Sequence, residues 1–346
     1  MENLASSREE AGRSGARRQV SLTTVAERAG VSIATVSRVV NGVANKASVD
    51  TIARVRAAID ELGYRPSGAG QALRRRESRI VAVIAANLAN PAMSAITAST
   101  EAALREAGYV MALCDSHDSA DLQDEYLREM RAQLVSAFVL LGAVESPVLD
   151  QIMAAGETVL FVNREHPHNV PASYVGIDNR IAGRDVAEQV AAWQAKHVLV
   201  IHGPISSSAT RERVNMFRKR LRSLLPDAGI DVRGSMSPDH LNTGFELASC
   251  RLNDTGHAPD VIFCLSDLIA YGAARALRER EIGVPETCRI IGFDDNPLNE
   301  WIAPWLSSVR VPYEDFGDAI VSCLKDAWAK GEVSRTFLQH RLIVRS

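Results

Sequence analysis

Two hydrophobic rhythms divide this chain. Over residues 22–62 the apolar positions recur at helical spacing, and from Ile80 onward short continuous apolar runs alternate with helical patterns. In the first stretch Thr24, with Glu27 three residues on, predicts a capping box and a helix from Val25 to Ala29 that stops at Gly30. Ser32 then caps a second helix through Val40. Val25, Ala26, Ala29, Val31, Val36 and Val39 would face inward, leaving Ser32, Ile33, Ala34, Ser37 and Arg38 outward. After the loop Gly42–Ala47, Ser48 caps a third helix with Ile52, Val55, Ile59 and Leu62 on one face. Gly63 ends it and Pro66 prevents its resumption. The result is a small three-helix bundle. The outward face of its second helix, short and uncharged at its start with one arginine a turn later, has the shape to enter a DNA major groove.

The second rhythm predicts strands at 80–84, 109–114, 137–141, 158–162, 174–177, 197–202, 261–265 and 289–293, separated by helices. Continuous apolar strands alternating with helices are expected of parallel sheets covered on both faces. The units are too many for one compact open sheet, so two similar lobes split near residue 177 are expected.

Composition narrows the class. Hydrophobic content of 46% in 346 residues supports a sizeable core and two or three domains. The net charge of −3 is unevenly spread. Residues 1–79 carry 14 basic against 8 acidic residues, and the remainder carries 25 against 34. A basic segment on an acidic body points to a polyanion met only by the first part. Residues 1–19 are polar, without an apolar stretch, and are expected to be a disordered tail rather than a secretory signal. No apolar run reaches the length of a membrane span, so no membrane partner is expected, and with no secretory signal a cytoplasmic location is expected. The five cysteines, at 114, 250, 264, 288 and 323, have no metal-ligand spacing and are expected to be buried free thiols. Paired acids, a nucleophile elbow, a P-loop, HExxH and GxGxxG are all missing, so neither an enzyme nor a bound cofactor is expected.

The run Val25–Asn41, VAERAGVSIATVSRVVN, resembles the DNA-binding headpiece of the lac-repressor/galactose-repressor family of bacterial regulators, and looser similarity continues to about residue 345. The resemblance implies an N-terminal all-α helix-turn-helix headpiece followed by an α/β two-lobed periplasmic-binding-protein-like body on two parallel doubly wound sheets. Its domains would be a tail (1–19), the headpiece (20–66), a hinge (67–79) and an effector-binding and dimerisation body (80–346). The first lobe would hold about 80–176 and 309–330, and the second about 177–308 and 331–346, with the chain recrossing near 308–312 and near 330. DNA contacts would fall to Thr24, Ser32, Ile33, Ala34, Thr35, Ser37, Arg38 and Asn41. Leu73 would wedge into the minor groove from a hinge helix that forms on DNA. Gly68 and Gly70 oppose that helix, each by roughly 1 kcal/mol relative to alanine.

A two-lobed α/β body takes its ligand at the carboxyl ends of its strands, between the lobes. The residues after the predicted strands are polar with both charge signs, which suits a neutral or weakly charged polyol. They include Asn90, Asn163 and Ser266. The resemblance adds Arg213, in the run Gly203–Arg213, and Asp294, in Gly292–Asp295, as an effector-gripping pair. Arg211 and Asp295 are expected to be structural. Ala92 stands where an aromatic often forms a wall, and Trp301 and Tyr174 are the candidates to replace it, each equally a candidate packing residue. His166 and His168 are expected in a surface loop. The expected protein is a homodimeric repressor on operator DNA, released or engaged by a sugar or sugar derivative. A secreted sugar-binding protein with a similar body is the competing class, and the headpiece argues against it.

Overall fold

The structure is a computed structural model that describes residues 20–41, 47–64, 78–168 and 170–345. The chain divides into two compact units, residues 1–76 and 77–346. The expected hinge, with Leu73, Gly68 and Gly70, and the N-terminal tail lie outside the described residues.

The first unit holds α1 (Leu22–Ala29), α2 (Ile33–Val40) and α3 (Val49–Leu62). The first helix begins earlier than its sequence suggests. Ser21, in an extended conformation, is its N-cap and accepts from the Thr24 backbone N–H at 3.3 Å. Thr24 is already helical, and its hydroxyl lies 3.1 Å from Ser21 Oγ. Glu27 takes no part in the cap. The physical reason is that the earlier serine extends the helix back to Leu22, whose side chain packs on the bundle core. Ser32 with Thr35 and Ser48 with Thr51 repeat the same Ser-x-x-Thr pairing, each pair of hydroxyls 2.9 Å apart. Gly30 and Gly63 close α1 and α3 in the left-handed conformation (φ 63° and 61°), as read. Val25, Ala26, Ala29, Val36, Val55 and Ala58 form the core, and Arg28 bridges α1 to Glu61 of α3 at 2.7 Å.

The second unit carries two six-stranded sheets. The first is ordered β11-β5-β4-β3-β1-β2. Its strands are β1 (Ile80–Ala85), β2 (Val110–Asp115), β3 (Ala137–Leu141), β4 (Val159–Val162), β5 (Ser173–Ile177) and β11 (Arg335–Leu338). Every pairing in it is parallel. The second is ordered β12-β10-β9-β8-β6-β7. It contains β6 (His197–His202), β7 (Gly229–Gly234), β8 (Val261–Cys264), β9 (Arg289–Asp294), β10 (Ser307–Arg310) and β12 (Arg341–Ile343), with only β12 antiparallel. β3, β5 and β8 are buried throughout, as continuous apolar strands require.

In the first lobe α4 (Pro91–Glu106) and α12 (Phe316–Lys330) pack together, and α5 (Ala120–Ala132) contacts α6 (Pro147–Ala154). In the second, α7 (Asn179–Ala192) pairs with α8 (Ser208–Leu224), and α9 (His240–Thr255) with α10 (Asp267–Arg278). A four-residue helix, α11 (Asn299–Ile302), follows β9. One apolar cluster runs through both lobes, from Val81 and Ile320 to Phe217 and Phe293.

The chain recrosses after β10, near the expected place. The second return comes later than 330: β11 pairs with β5 in the first lobe, so residues 331–338 belong there and the crossing falls between Leu338 and Arg341. Short strands of four and three residues carry too little periodic signal for this to be read from sequence. β7, β10, β11 and β12 are all short or half-exposed strands of this kind.

Among the described residues no helix is long and apolar enough to cross a membrane, and no cluster of three or more His, Cys, Asp or Glu could hold a metal ion. The cysteines are free, but only Cys264, Cys288 and Cys323 are buried. Cys114 is half-buried on strand β2 and Cys250 is exposed on α9.

Candidate functional site

In the headpiece, Ile33, Ala34 and Arg38 are all exposed on α2, with Ile33 48% accessible although it is a large apolar side chain. Ala34 and Arg38 are four residues apart and share a face. Ser32 is also exposed, while Thr24, Thr35, Ser37 and Asn41 are half-buried. Thr24 and Thr35 spend their hydroxyls on helix caps, and Asn41 closes α2 by donating to the Ser37 carbonyl at 2.6 Å. The expected contacts therefore fall into two kinds. Ile33, Ala34 and Arg38 project outward, and the others shape the helix that presents them.

In the body, strand order reverses between β1 and β3 and again between β6 and β8, which places a crevice at those carboxyl ends. Asn90 follows β1 there. Its Oδ1 accepts from the Ala92 N–H at 3.0 Å and caps α4. It lines a cavity of about 340 Å³ shared with Asn87, His117, Asp239, His240 and Leu241. Ser266 follows β8, but its hydroxyl accepts from the Ile269 N–H at 3.3 Å and lies 3.0 Å from His240 Nδ1. The His240 ring, not Ser266, lines the cavity.

Deeper in, Arg213 is buried on α8. Its Nε donates to Asn179 Oδ1 at 2.8 Å, and its guanidinium lies 3.5 Å above the centre of the Phe293 ring. α7 comes so close here that a Cβ on Gly183 would stand 2.5 Å from the Arg213 carbonyl oxygen, so glycine at 183 holds the arginine's backbone in place. Asp294 ends β9 with φ 113°, and Asn163 follows β4 with φ 66°, conformations that L residues rarely adopt and that cluster at functional sites. The Tyr313 hydroxyl donates to Asp294 Oδ1 at 2.8 Å. Arg213 and Asp294 make no direct ion pair, yet each is within reach of the other's charge. Asn163 accepts the Tyr174 hydroxyl at its carbonyl (3.4 Å), and its side-chain amide has no partner.

Burial pushes the Asp294 carboxyl up to about 7, with the nearby Asp267 charge adding to it against Arg213 and the Tyr313 hydrogen bond. Asp267, buried behind it, is pushed up to about 6 by the same cause, although Ser308, the Asn296 N–H and Asn299 all donate to it. In the unfolded chain Asp294 titrates near 3.8, so the folded state keeps a proton that the unfolded state releases. Stability is then lost as pH rises from about 4 to about 7, and the loss stays constant above that. Asp294→Asn removes it. The variant is expected to melt above the wild type at pH 8, with the gap closing toward pH 4. Melting curves at pH 4, 6 and 8 that run parallel would show that Asp294 titrates normally.

His240 and Tyr313 carried no sequence signal, while Arg164 and Asn179 stand among the polar residues after predicted strands without an assigned role. Arg164 follows Asn163 and bonds Asp118 (2.6 Å) and the Gly142 carbonyl (3.2 Å). His240, Tyr313 and Asn179 come from three separate elements. Of the expected walls, Trp301 is 81% exposed, too open to line an enclosed site, and Tyr174 is buried in the first-lobe core. His166 is not in an exposed loop either: it is buried edge-on against Phe161, and burial lowers its pKa. Asp295 pairs with Arg345 at 2.8 Å, and Arg211 bonds the carbonyls of Ile205 and Ser206, both structural contacts.

The family model described as bacterial regulatory proteins, lacI family, matches residues 21–67, and that for a periplasmic binding protein-like domain matches residues 193–346. The chain is 30% identical over 343 residues to the HTH-type transcriptional regulator CelR of Thermobifida fusca, covering 95% of this chain and 98% of that protein. Its fold matches the lac repressor dimer bound to operator and the anti-inducer ONPF, with a TM-score of 0.80 at 26% identity, over 95% of this chain and 98% of that one. It also matches the CelR–cellobiose complex, with a TM-score of 0.69 at 27% identity, over 94% and 99% of the two chains.

Proposed function

The chain belongs to the lacI family of bacterial regulatory proteins, transcription regulators rather than enzymes, and from that premise we propose that it is a repressor controlled by a carbohydrate effector. The observation that carries the effector reading is the Arg213–Asp294 pair. A buried cation and a buried carboxylate, charge-coupled but not bonded to each other, leave room for adjacent hydroxyls that accept from one and donate to the other. Asn163, with its free amide, and Asn90 add neutral polar contacts. CelR with cellobiose supports a sugar as the ligand class. Ile33, Ala34 and Arg38 would read base edges in the major groove, where apolar side chains meet thymine methyls and arginine pairs with guanine.

Control follows from the fold. The effector would engage Arg213 and Asp294 in the second lobe and Asn90 in the first, so it would favour one lobe arrangement over the other. The coupling this needs is typically about 1–3 kcal/mol. A thermal-shift screen of sugars, sugar acids and purines tests the reading. A ligand at a hundredfold excess over its Kd stabilises by roughly 2.7 kcal/mol. A screen answered only by purines would replace the sugar with a nucleobase.

The repressor would act as a homodimer on a near-palindromic site, the symmetry a pair of identical headpieces imposes. Leu298, Trp301 and Ile302 make one exposed apolar patch on the second lobe, and the edge strand β2 exposes Val110 and Leu113 on the first. Such patches are covered in an assembled protein. Trp301→Asp is expected to shift the solution mass toward the monomer and to weaken operator binding, because one headpiece then binds without its partner. An unchanged mass by light scattering would remove this patch from the interface.

A further inference from the structure

The edge of the second sheet formed by β7 is open, and a row of unpaired cations runs beside it. β7 pairs only with β6, in parallel register from His197↔Gly229 to His202↔Gly234. The Gly229 N–H donates to the Lys196 carbonyl at 2.8 Å, and the Ser235 N–H to that of His202 at 3.1 Å. Alternate residues of a parallel strand bond to the same side, so Gly229, Asp231, Arg233 and Ser235 turn their backbone groups toward β6. Ile230, Val232 and Gly234 turn theirs outward, where no strand of the body meets them. We infer that this edge is a docking surface for an acidic, extended segment of a partner protein, which joins the sheet as a seventh strand beside the cations of α8.

The fold places those cations. α8 packs beside α7, and α7 reaches β12 at the other end of the sheet, which leaves α8 over β6 and β7. Phe217 and Leu221 face the core, and Ile230 and Val232 are half-buried against the same cluster. Arg220 points to α7, where it pairs with Glu188 at 2.9 Å. At 3.6 residues per turn, Arg218 and Arg222 fall on the opposite flank of the helix, above the open edge, with Lys219 beside them. Lys219 and Arg222 are exposed. Among the described residues none of the three has an acidic partner, and Arg218 Nε is buried without a hydrogen-bond partner. Asp227, in the turn between α8 and β7, pairs with none of them. Acidic residues outnumber basic ones by 34 to 25 after residue 79, so a flank of unpaired cations stands out in this body.

The arrangement selects the partner. Backbone pairing along Ile230, Val232 and Gly234 accepts any extended chain. The flanking cations restrict it to one that carries Asp or Glu toward α8. Charges that guard an open edge against other chains sit on the strand itself. Those on β7 are already spent: Asp231 pairs with Arg233 (2.9 Å) and Arg251 (3.3 Å), and Arg233 also holds Asp254 (2.8 Å). Exposed Leu224, at the end of α8, and Met236, just past β7, offer apolar contacts at the two ends of the edge.

The test is a fluorescence anisotropy titration of the full chain with a labelled peptide of alternating glutamate and valine. The same peptide with a central proline keeps its charge and cannot continue a strand. Its lysine counterpart keeps the strand and reverses the charge. The glutamate peptide is expected to bind about tenfold or more tighter than either, a difference of about 1.4 kcal/mol. Lys219→Glu combined with Arg222→Glu, both at exposed positions where folding is little affected, should weaken it about tenfold, and Arg218→Met about threefold. Operator binding should be unchanged. Residues 1–79 are basic too, so amide exchange locates the peptide: Ile230, Val232 and Gly234 are expected to become protected. No binding of the glutamate peptide, equal binding of the proline peptide, a double variant that binds as tightly as the wild type, or unprotected β7 amides would each overturn the inference and leave the proposed function standing. So would a non-operator DNA duplex whose affinity falls about tenfold in the double variant, because the cations would then be a nucleic-acid contact.

Discussion

Arg213→Ala is expected to weaken effector binding by more than tenfold, about 1.4 kcal/mol or more, while operator binding without effector stays close to wild type. The size follows from the site. The guanidinium is buried on Phe293 and holds one bond, to Asn179, so its two terminal nitrogens are the cleft's strongest donors. Removing it deletes a charge-assisted bond to the ligand and leaves Asp294 without the cation that pulls its pKa down. Asp294 then rises further, and the proton it holds makes it a poorer acceptor for a ligand hydroxyl. A second signature follows: the variant's remaining affinity should increase with pH over a higher range than that of the wild type. Titration at pH 6, 7 and 8 with the sugar found in the thermal-shift screen separates the cases. Equal affinity for wild type and variant would remove Arg213 from the site, and the hydroxyl-gripping pair would no longer support the proposed function.

Arg38→Ala is expected to cost about 1–3 kcal/mol in operator binding and to relax the preference at one base pair in each half-site. Arg38 is exposed on α2, one turn beyond Ala34, and the small side chains before it let the helix approach the groove. A base contact and a phosphate contact predict different results. Losing a guanine contact penalises the cognate sequence and leaves its single-base variants nearly as well bound as before. Losing a phosphate contact weakens every sequence alike and lowers the salt dependence by about one unit of slope. Measuring wild type and variant against an operator selected from random DNA, and against its single-base changes at two salt concentrations, distinguishes them. Uniform weakening would make Arg38 a phosphate contact.

Much of this protein was determined locally and is legible along the chain. The three headpiece helices have their caps and stops within a few residues of each other: Ser32, Ser48, Gly30 and Gly63 act on their own helices, so periodicity and capping find them. The one error, at Ser21, arose because two hydroxyls three positions apart can each cap, and only the packing of Leu22 decides between them. The long buried strands were legible for the same reason, since both faces must be apolar whatever lies against them. The lobe boundary at 331–338 was not, because a four-residue strand takes its place from the sheet edge that accepts it, and that edge is Tyr174–Ile177, far away in sequence. The candidate site divides along the same line. Asn163, Ser266 and Asp294 stand at or just past the ends of strands, and Asn90 closes the loop after β1, where topology must bring polar groups together. Whether a group there faces a ligand is a tertiary matter. Ser266 turns out to be spent on a helix cap and on His240, and Asp118, His240 and Tyr313 enter only because separate elements converge on the cleft. Local sequence decides which residues form an element and which end of it is polar. The partner each side chain meets is decided by packing, because desolvation and hydrogen bonding act over a few ångströms of space rather than along the chain.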